Sequence, residues 1–169
     1  MKGCTHNPNL RFGVKVMDIR TLVQLLRQPG ARTGVGVWLL PRESLGQEET
    51  IAAQLNLHPI DARQAYLDRL PAGARFSGLN RPDGHQKLLD LLRALAAGTH
   101  ARDCLLVHTL DLLLLALEVD ERERFWRTAL GGLPYPRSKL VLTLPKQAHS
   151  LFPLELAQQY SALVARGAC

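Results

Sequence analysis

Three short, almost uninterrupted apolar runs do most to limit what this 169-residue chain can fold into. They cover residues 34–40 (GVGVWLL), 104–110 (CLLVHTL) and 140–144 (LVLTL), with prolines at 41, 136 and 145 marking breaks around them. Between them lie segments in which apolar residues recur at helical spacing. A strand that is apolar at nearly every position is buried on both faces, the condition of a strand in a parallel sheet with helices on each side. Strands alternating with helices therefore predict an α/β fold with a mainly parallel sheet.

The intervening helices carry their own start and stop signals. In DIRTLVQLLRQPG, Asp18 is placed to cap a helix, Ile19, Leu22, Val23 and Leu26 form one stripe, and Pro29-Gly30 ends it. GQEETIAAQLN reads as a helix with Glu48 and Glu49 in its first turn, where the helix dipole favours acids. LHPID reads as a short strand. PDGHQKLLDLLRALAAG places Leu88, Leu91, Leu92 and Leu95 on one face and Gly98 at the C-cap. CLLVHTLDLLLLAL starts as a strand and continues into a second apolar segment. DERERFWRTALGG is expected as a helix with Asp120 and Glu123 forming a capping box. SKLVLTLP is the fourth strand, and PLELAQQYSALVARG is expected to close the chain as a helix. No repeat or long linker interrupts this order. The expected organisation is a basic N-terminal extension, 1–17, and one domain, 18–169.

Charge is uneven along the chain. Of the net +6, all arises in residues 1–42, where Lys2, Arg11, Lys15, Arg20, Arg27, Arg32 and Arg42 face a single acid, Asp18. A basic arm of this kind suits DNA, RNA or an acidic protein partner, and equally a solvated surface. The apolar runs are too short to span a bilayer and the first twenty residues contain no continuous apolar segment, so neither a membrane partner nor a secretory signal is expected. The cysteines, Cys4, Cys104 and Cys169, are odd in number and scattered. A reducing, cytoplasmic setting is the expectation, with Cys104 a small core residue.

An apolar strand followed by a turn, a late glycine and a helix is also the arrangement of a phosphate-binding loop. Such a loop offers backbone amides to phosphates, a lysine to their outer oxygens and a Ser/Thr hydroxyl to magnesium. In PRESLGQEE, the glycine is present as Gly46, but Gln47 and Glu48 stand where lysine and hydroxyl belong. The run LLVHTLD has the apolar character of a Walker B strand. His108 occupies the aspartate position, however, and Asp111 lies three residues on, where the plainer reading has it capping the next helix. Thr143 in KLVLTLP stands where many ATPases carry a polar sensor.

The order strand, loop, helix, strand, helix, Walker-B-like strand, helix, strand resembles the core of P-loop ATPases of the RecA/AAA type over about residues 30–150. CLLVHTLDLLLLAL, ERERFWRTAL and KLVLTLP resemble segments of the small P-loop proteins of BREX-type phage-defence systems. The resemblance implies a three-layer P-loop-NTPase-like domain and a protein partner in a larger complex. Its departures fall on the degenerate nucleotide-site positions Gly46, Gln47, Glu48, His108, Asp111 and Thr143, so it implies no catalytic residue. No cofactor and no metal are expected. WLLP, LLRALAAGTHARDCLLVH and LTLP are also similar to SOS-induced cell-division inhibitors, which would imply the tubulin-like division protein as partner.

A rival reading makes residues 50–70 a helix-turn-helix, although over residues 48–69 Glu48, Glu49, Asp61 and Asp68 outnumber Arg63 and Arg69. The six histidines show no metal-ligand spacing, and no G-x-S-x-G elbow is present. Arg11, Lys15, Arg20, Arg27, Arg32, Arg42, Arg124 and Arg127 are the candidate contacts to a partner or to DNA. For Arg124 and Arg127 the plainer expectation is a helix that turns Trp126 inward and leaves both arginines in solvent.

Overall fold

The computed structural model describes residues 17–31, 33–74, 77–133 and 137–167. Asp18 opens the first helix, α1 (Ile19–Arg27), by accepting the Thr21 amide at 2.8 Å. β1 (Val35–Leu40) follows, buried at all six positions. Next come α2 (Glu48–Gln54), β2 (His58–Asp61), α3 (Ala62–Leu67), α4 (Gly84–Ala97) and β3 (Cys104–His108). The order ends with α5 (Leu110–Leu114), α6 (Val119–Gly131), β4 (Lys139–Pro145), α7 (Leu154–Gln159) and β5 (Val164–Arg166).

The five strands form one all-parallel sheet in the order β2-β3-β4-β1-β5. Alternation along each strand divides the core in two. Trp38, Leu40, Leu106, Val141 and Ala165 pack under α1 and α2, meeting Ile19, Leu22, Leu26 and Ile51. Val35, Val37, Leu105, Val107, Leu140 and Leu142 face the other helices, including Leu88 and Leu92 of α4 and Trp126 of α6. Helices on both faces make a three-layer α/β domain of P-loop-NTPase-like architecture. Burial of a Leu or Val side chain is worth about 1.5–3 kcal/mol, and strands buried on both faces collect that contribution twice over. Among the described residues no helix is long and apolar enough to cross a membrane.

Five expectations need correction. The chain does not close as a helix. α7 stops at Gln159, and Val164 and Ala165 pair with Val37 and Trp38 as β5. The free edge of β1 supplies hydrogen bonds that local helical spacing could not reveal. Met17, assigned to the extension, bridges to Ala165 on the far side of that strand. Residues 50–70 form helix, strand and helix; β2 is inserted in the sheet beside β3 where the rival reading requires a turn. The capping box of Asp120 and Glu123 does not form, because α6 begins two residues earlier, with Glu118 at the N-cap, and Arg127 holds the Glu123 carboxylate at 2.6 Å. Asp111 lies within the first turn of α5 and leaves the N-cap position to Thr109.

The carboxylate left over from that helix start acts elsewhere. Glu121 is 4% exposed and points at the N-terminus of α4, whose own N-cap, Asp83, makes no side-chain capping bond. Glu121 accepts the His85 amide at 3.2 Å and meets His85 Nδ1 at 2.5 Å and Arg124 Nη1 at 3.0 Å. One helix thus caps another.

Candidate functional site

A parallel sheet brings the C-terminal ends of all its strands to one edge, where open α/β folds place their ligands. Asp61, His108, Pro145, Leu40 and Arg166 end the five strands in sheet order. Gly46, Gln47, Glu48, His108 and Asp111 lie along this edge or in the loops and helix starts that leave it, with Thr143 set just inside it.

The loop after β1 is closed on itself. Pro41 ends the strand and Arg42–Ser44 make a single 3-10 turn. The Ser44 amide donates to Pro41 O at 3.0 Å, Leu45 to Arg42 O at 3.3 Å and Gln47 to Ser44 O at 3.2 Å. Gly46, at φ +77°, adopts the left-handed turn that glycine accommodates without strain, and its amide donates to Glu48 Oε1 at 3.1 Å. Every amide from Ser44 to Gln47 therefore has an acceptor within the loop. A phosphate cradle needs these donors directed outward, and here a carboxylate from the helix start has taken the phosphate's role. The residues do not fit a nucleotide–magnesium complex. Gln47 offers an amide that bonds Glu43 O at 3.2 Å, and neither it nor Glu48 supplies the missing cation or hydroxyl.

The Walker-B-like edge is spent on structure. His108 ends β3 opposite Asp61 of β2, and Thr109 follows at φ +58°, a strained value for a β-branched residue. The Thr109 hydroxyl lies 2.6 Å from Asp61 Oδ1 and 2.7 Å from the His108 carbonyl. Its single hydrogen goes to the ionised carboxylate, the stronger acceptor. Thr109 Oγ1 also accepts the Arg63 amide at 3.2 Å. Partial burial pushes the Asp61 carboxyl up, but the Thr109 hydroxyl, the Gln64 amide and the charge of His108 outweigh it and hold the group below the ordinary carboxylate value. Thr143 is buried and donates to Val107 O at 3.2 Å, tying β4 to β3 and facing no ligand space. Among the described residues no three His, Cys, Asp or Glu side chains converge as a metal site.

The candidate partner contacts divide. Arg11, Lys15 and Arg32 lie outside the described residues. Arg27 bonds Asn56 O at 2.8 Å and Asp103 at 3.0 Å, which makes it a tie between α1 and the sheet. Arg124 and Arg127 pair with Glu121 and Glu123 on their own helix, and Trp126 points inward, donating to Leu151 O at 2.7 Å. Arg20 is exposed on α1.

Arg42 lines a cleft. A cleft of about 1270 Å³ lies at the ends of β1, β4 and β5, floored by Leu39, Phe152 and Ala157. Arg42, Lys146, His149 and Arg166 line it, with Glu43 as the acid among them. Lys146 and Arg166 were not anticipated. Lys146 directly follows a legible parallel strand, and that position is itself a signal; Arg166 required β5. No protein-family model matches this chain, and neither the curated proteins nor the solved structures contain a match to it.

Proposed function

We propose that this protein is a non-catalytic, P-loop-like accessory subunit that works by binding another macromolecule at the C-terminal edge of its sheet. The observation that carries the reading is the loop after β1, whose amides from Ser44 to Gln47 are all engaged internally, one of them by the Glu48 carboxylate. Two further features support it. His108 replaces a magnesium-binding carboxylate at the end of β3, and magnesium prefers oxygen ligands. The cleft beside the loop is cationic and apolar together, a combination suited to a protein surface. The resemblance to BREX-type proteins supplies a setting, a bacterial phage-defence or DNA-processing complex.

Titration of the purified full chain with a fluorescent ATP analogue and magnesium tests the central claim. No saturation is expected up to about 100 µM nucleotide. Micromolar binding accompanied by magnesium-dependent hydrolysis would overturn it. The setting is tested by gene neighbourhood. Genes for a large ATPase, a methyltransferase and an alkaline-phosphatase-like protein alongside support it, and their absence beside related genes counts against it.

A further inference from the structure

We infer that the cleft at the ends of β1, β4 and β5 docks an acidic peptide segment of a partner protein through an apolar anchor residue. The inference rests on the reading of the chain as a nucleotide-free binding subunit and names the chemistry of its partner.

Three observations carry it. First, Arg42, Lys146 and Arg166 come from three separate elements, all are exposed, and no ion pair or side-chain hydrogen bond engages any of them among the described residues. Elsewhere on the described surface Lys87 pairs with Asp83, Arg93 with Asp90 and Arg127 with Glu123. Only Glu43 offsets the three across the cleft. Charge complementarity therefore asks for an acidic occupant.

Second, the floor is apolar. Leu39, Phe152 and Ala157 lie beneath the cations, and Leu154 stands at the rim 68% exposed. A leucine left that open beside an apolar floor fits a Leu, Met or Phe side chain of a partner. Third, the volume decides between a small ligand and a chain. At about 1270 Å³ it exceeds the roughly 300–1,000 Å³ of sites that enclose small molecules.

A single-stranded nucleic acid would also bring negative charge. Bases, however, bind by stacking on exposed aromatic rings. Phe152 is the one Phe, Tyr or Trp among the described lining residues, and it is 4% exposed, packed against Trp126. His149 is the single exposed ring of the cleft, too few for successive bases to stack, which favours the peptide.

The test is a selection of phage-displayed random peptides, about twelve residues long, on the immobilised full chain. The triple variant R42E/K146E/R166E, whose changes all fall on exposed side chains, serves as the counter-target. Enriched peptides are expected to be net acidic, to carry at least one Leu, Met or Phe, and to lose affinity about tenfold or more on the triple variant. Wild-type binding is expected to weaken severalfold between about 50 and about 300 mM NaCl, a measurement that does not depend on the variant's folding. Neutral or basic peptides, peptides held equally by the variant, or no enrichment would overturn the proposal. So would a labelled oligo-dT strand that binds the wild type and loses its affinity on the triple variant, while leaving the binding-subunit reading intact. Saturable ATP binding defeats that reading instead, so the two failures are distinguishable.

Discussion

Thr109 offers a test of whether the Walker-B-like edge is held together as described. It sits at φ +58°, where a side chain costs an L-residue about 1–2 kcal/mol. Its hydroxyl offsets this by donating to Asp61 and accepting the Arg63 amide. A bond to a charged group is worth about 1.5–3 kcal/mol, and exposure of Asp61 reduces this to about 1. The exposed Arg63 amide adds about 0.5–1 kcal/mol. Thr109→Ala keeps the strain and loses both bonds, so it is expected to destabilise by about 2 kcal/mol. Thr109→Gly loses the same bonds but relieves the strain, less the greater chain entropy of unfolded glycine, for a net cost of about 1 kcal/mol. Glycine is thus expected to be the better replacement, the reverse of its rank inside a helix or strand. Urea unfolding followed by tryptophan fluorescence reads the difference. With a slope of about 2 kcal/mol per M, the glycine variant's midpoint lies about 0.5 M above the alanine variant's. An alanine variant as stable as the glycine variant would refute the left-handed geometry. Equality of both with the wild type would refute the bonding.

Other perturbations test the remaining framework. Glu121→Gln keeps the shape of the inter-helix cap but removes its charge, and should cost about 2 kcal/mol. Burial pushes the Glu121 carboxyl up, but its bonds to His85 and the charges of His85 and Arg124 outweigh this and hold it below the ordinary value. The stability difference between wild type and variant should therefore be complete above about pH 4.3 and shrink as pH falls through the lowered folded value; a difference unchanged from neutral pH to about pH 3 contradicts the assignment. Gly84→Ala would place a Cβ 2.0 Å from Leu79 O, so the start of α4 must move, and thermal melting should show a loss of about 2–3 kcal/mol. Cys104 is buried in β3, and burial pushes its thiol up to about 12. Its peptide should stay unmodified by iodoacetamide at about pH 8 until denaturant is added, as mass spectrometry can follow; rapid alkylation of the native chain would contradict the packing.

What could be read in advance depended on where each signal lies. Val35–Leu40, Cys104–His108 and Lys139–Pro145 are apolar because both faces are covered, so burial is written into each residue and the parallel sheet followed. Asp18 caps α1 by a bond three residues long, equally local. Strand order has no such local trace, since it depends on which edges remain free once the helices pack. The same holds for β5, three residues long and defined by its neighbour. Glu121 shows the limit from the other side. As a glutamate in a first helical turn it matches a dipole rule, yet its carboxylate bonds a residue thirty-six positions away. The candidate site was half legible: Gln47, Glu48 and His108 stand in the sequence where a phosphate-binding loop and a Walker B strand have lysine, hydroxyl and aspartate, whereas Lys146 and Arg166 gain meaning only from the edge they share.

That shared edge also shows how a loop placed like a phosphate cradle can be well formed without a phosphate. A loop whose amides await phosphate leaves several donors unsatisfied when the ligand is absent, each a cost wherever water is restricted. In this chain the 3-10 turn at Arg42–Ser44 absorbs three of those donors and Glu48 absorbs the fourth. The loop then needs no ligand to be well formed, and none of its amides from Ser44 to Gln47 is left for a phosphate. The edge carries positive charge all the same. It stands instead on Arg42, Lys146 and Arg166, around a floor of Leu39, Phe152 and Ala157 that a nucleotide's phosphates would have no use for. A substitution that freed the Gly46 amide, Glu48→Thr, would leave the other three donors bound. Restoring lysine and hydroxyl together, as Gln47→Lys with Glu48→Thr, is therefore expected not to restore ATP binding in the fluorescent titration. Recovery of micromolar affinity by those two changes alone would show that side-chain chemistry, and not the closed backbone of the loop, is what keeps nucleotide out.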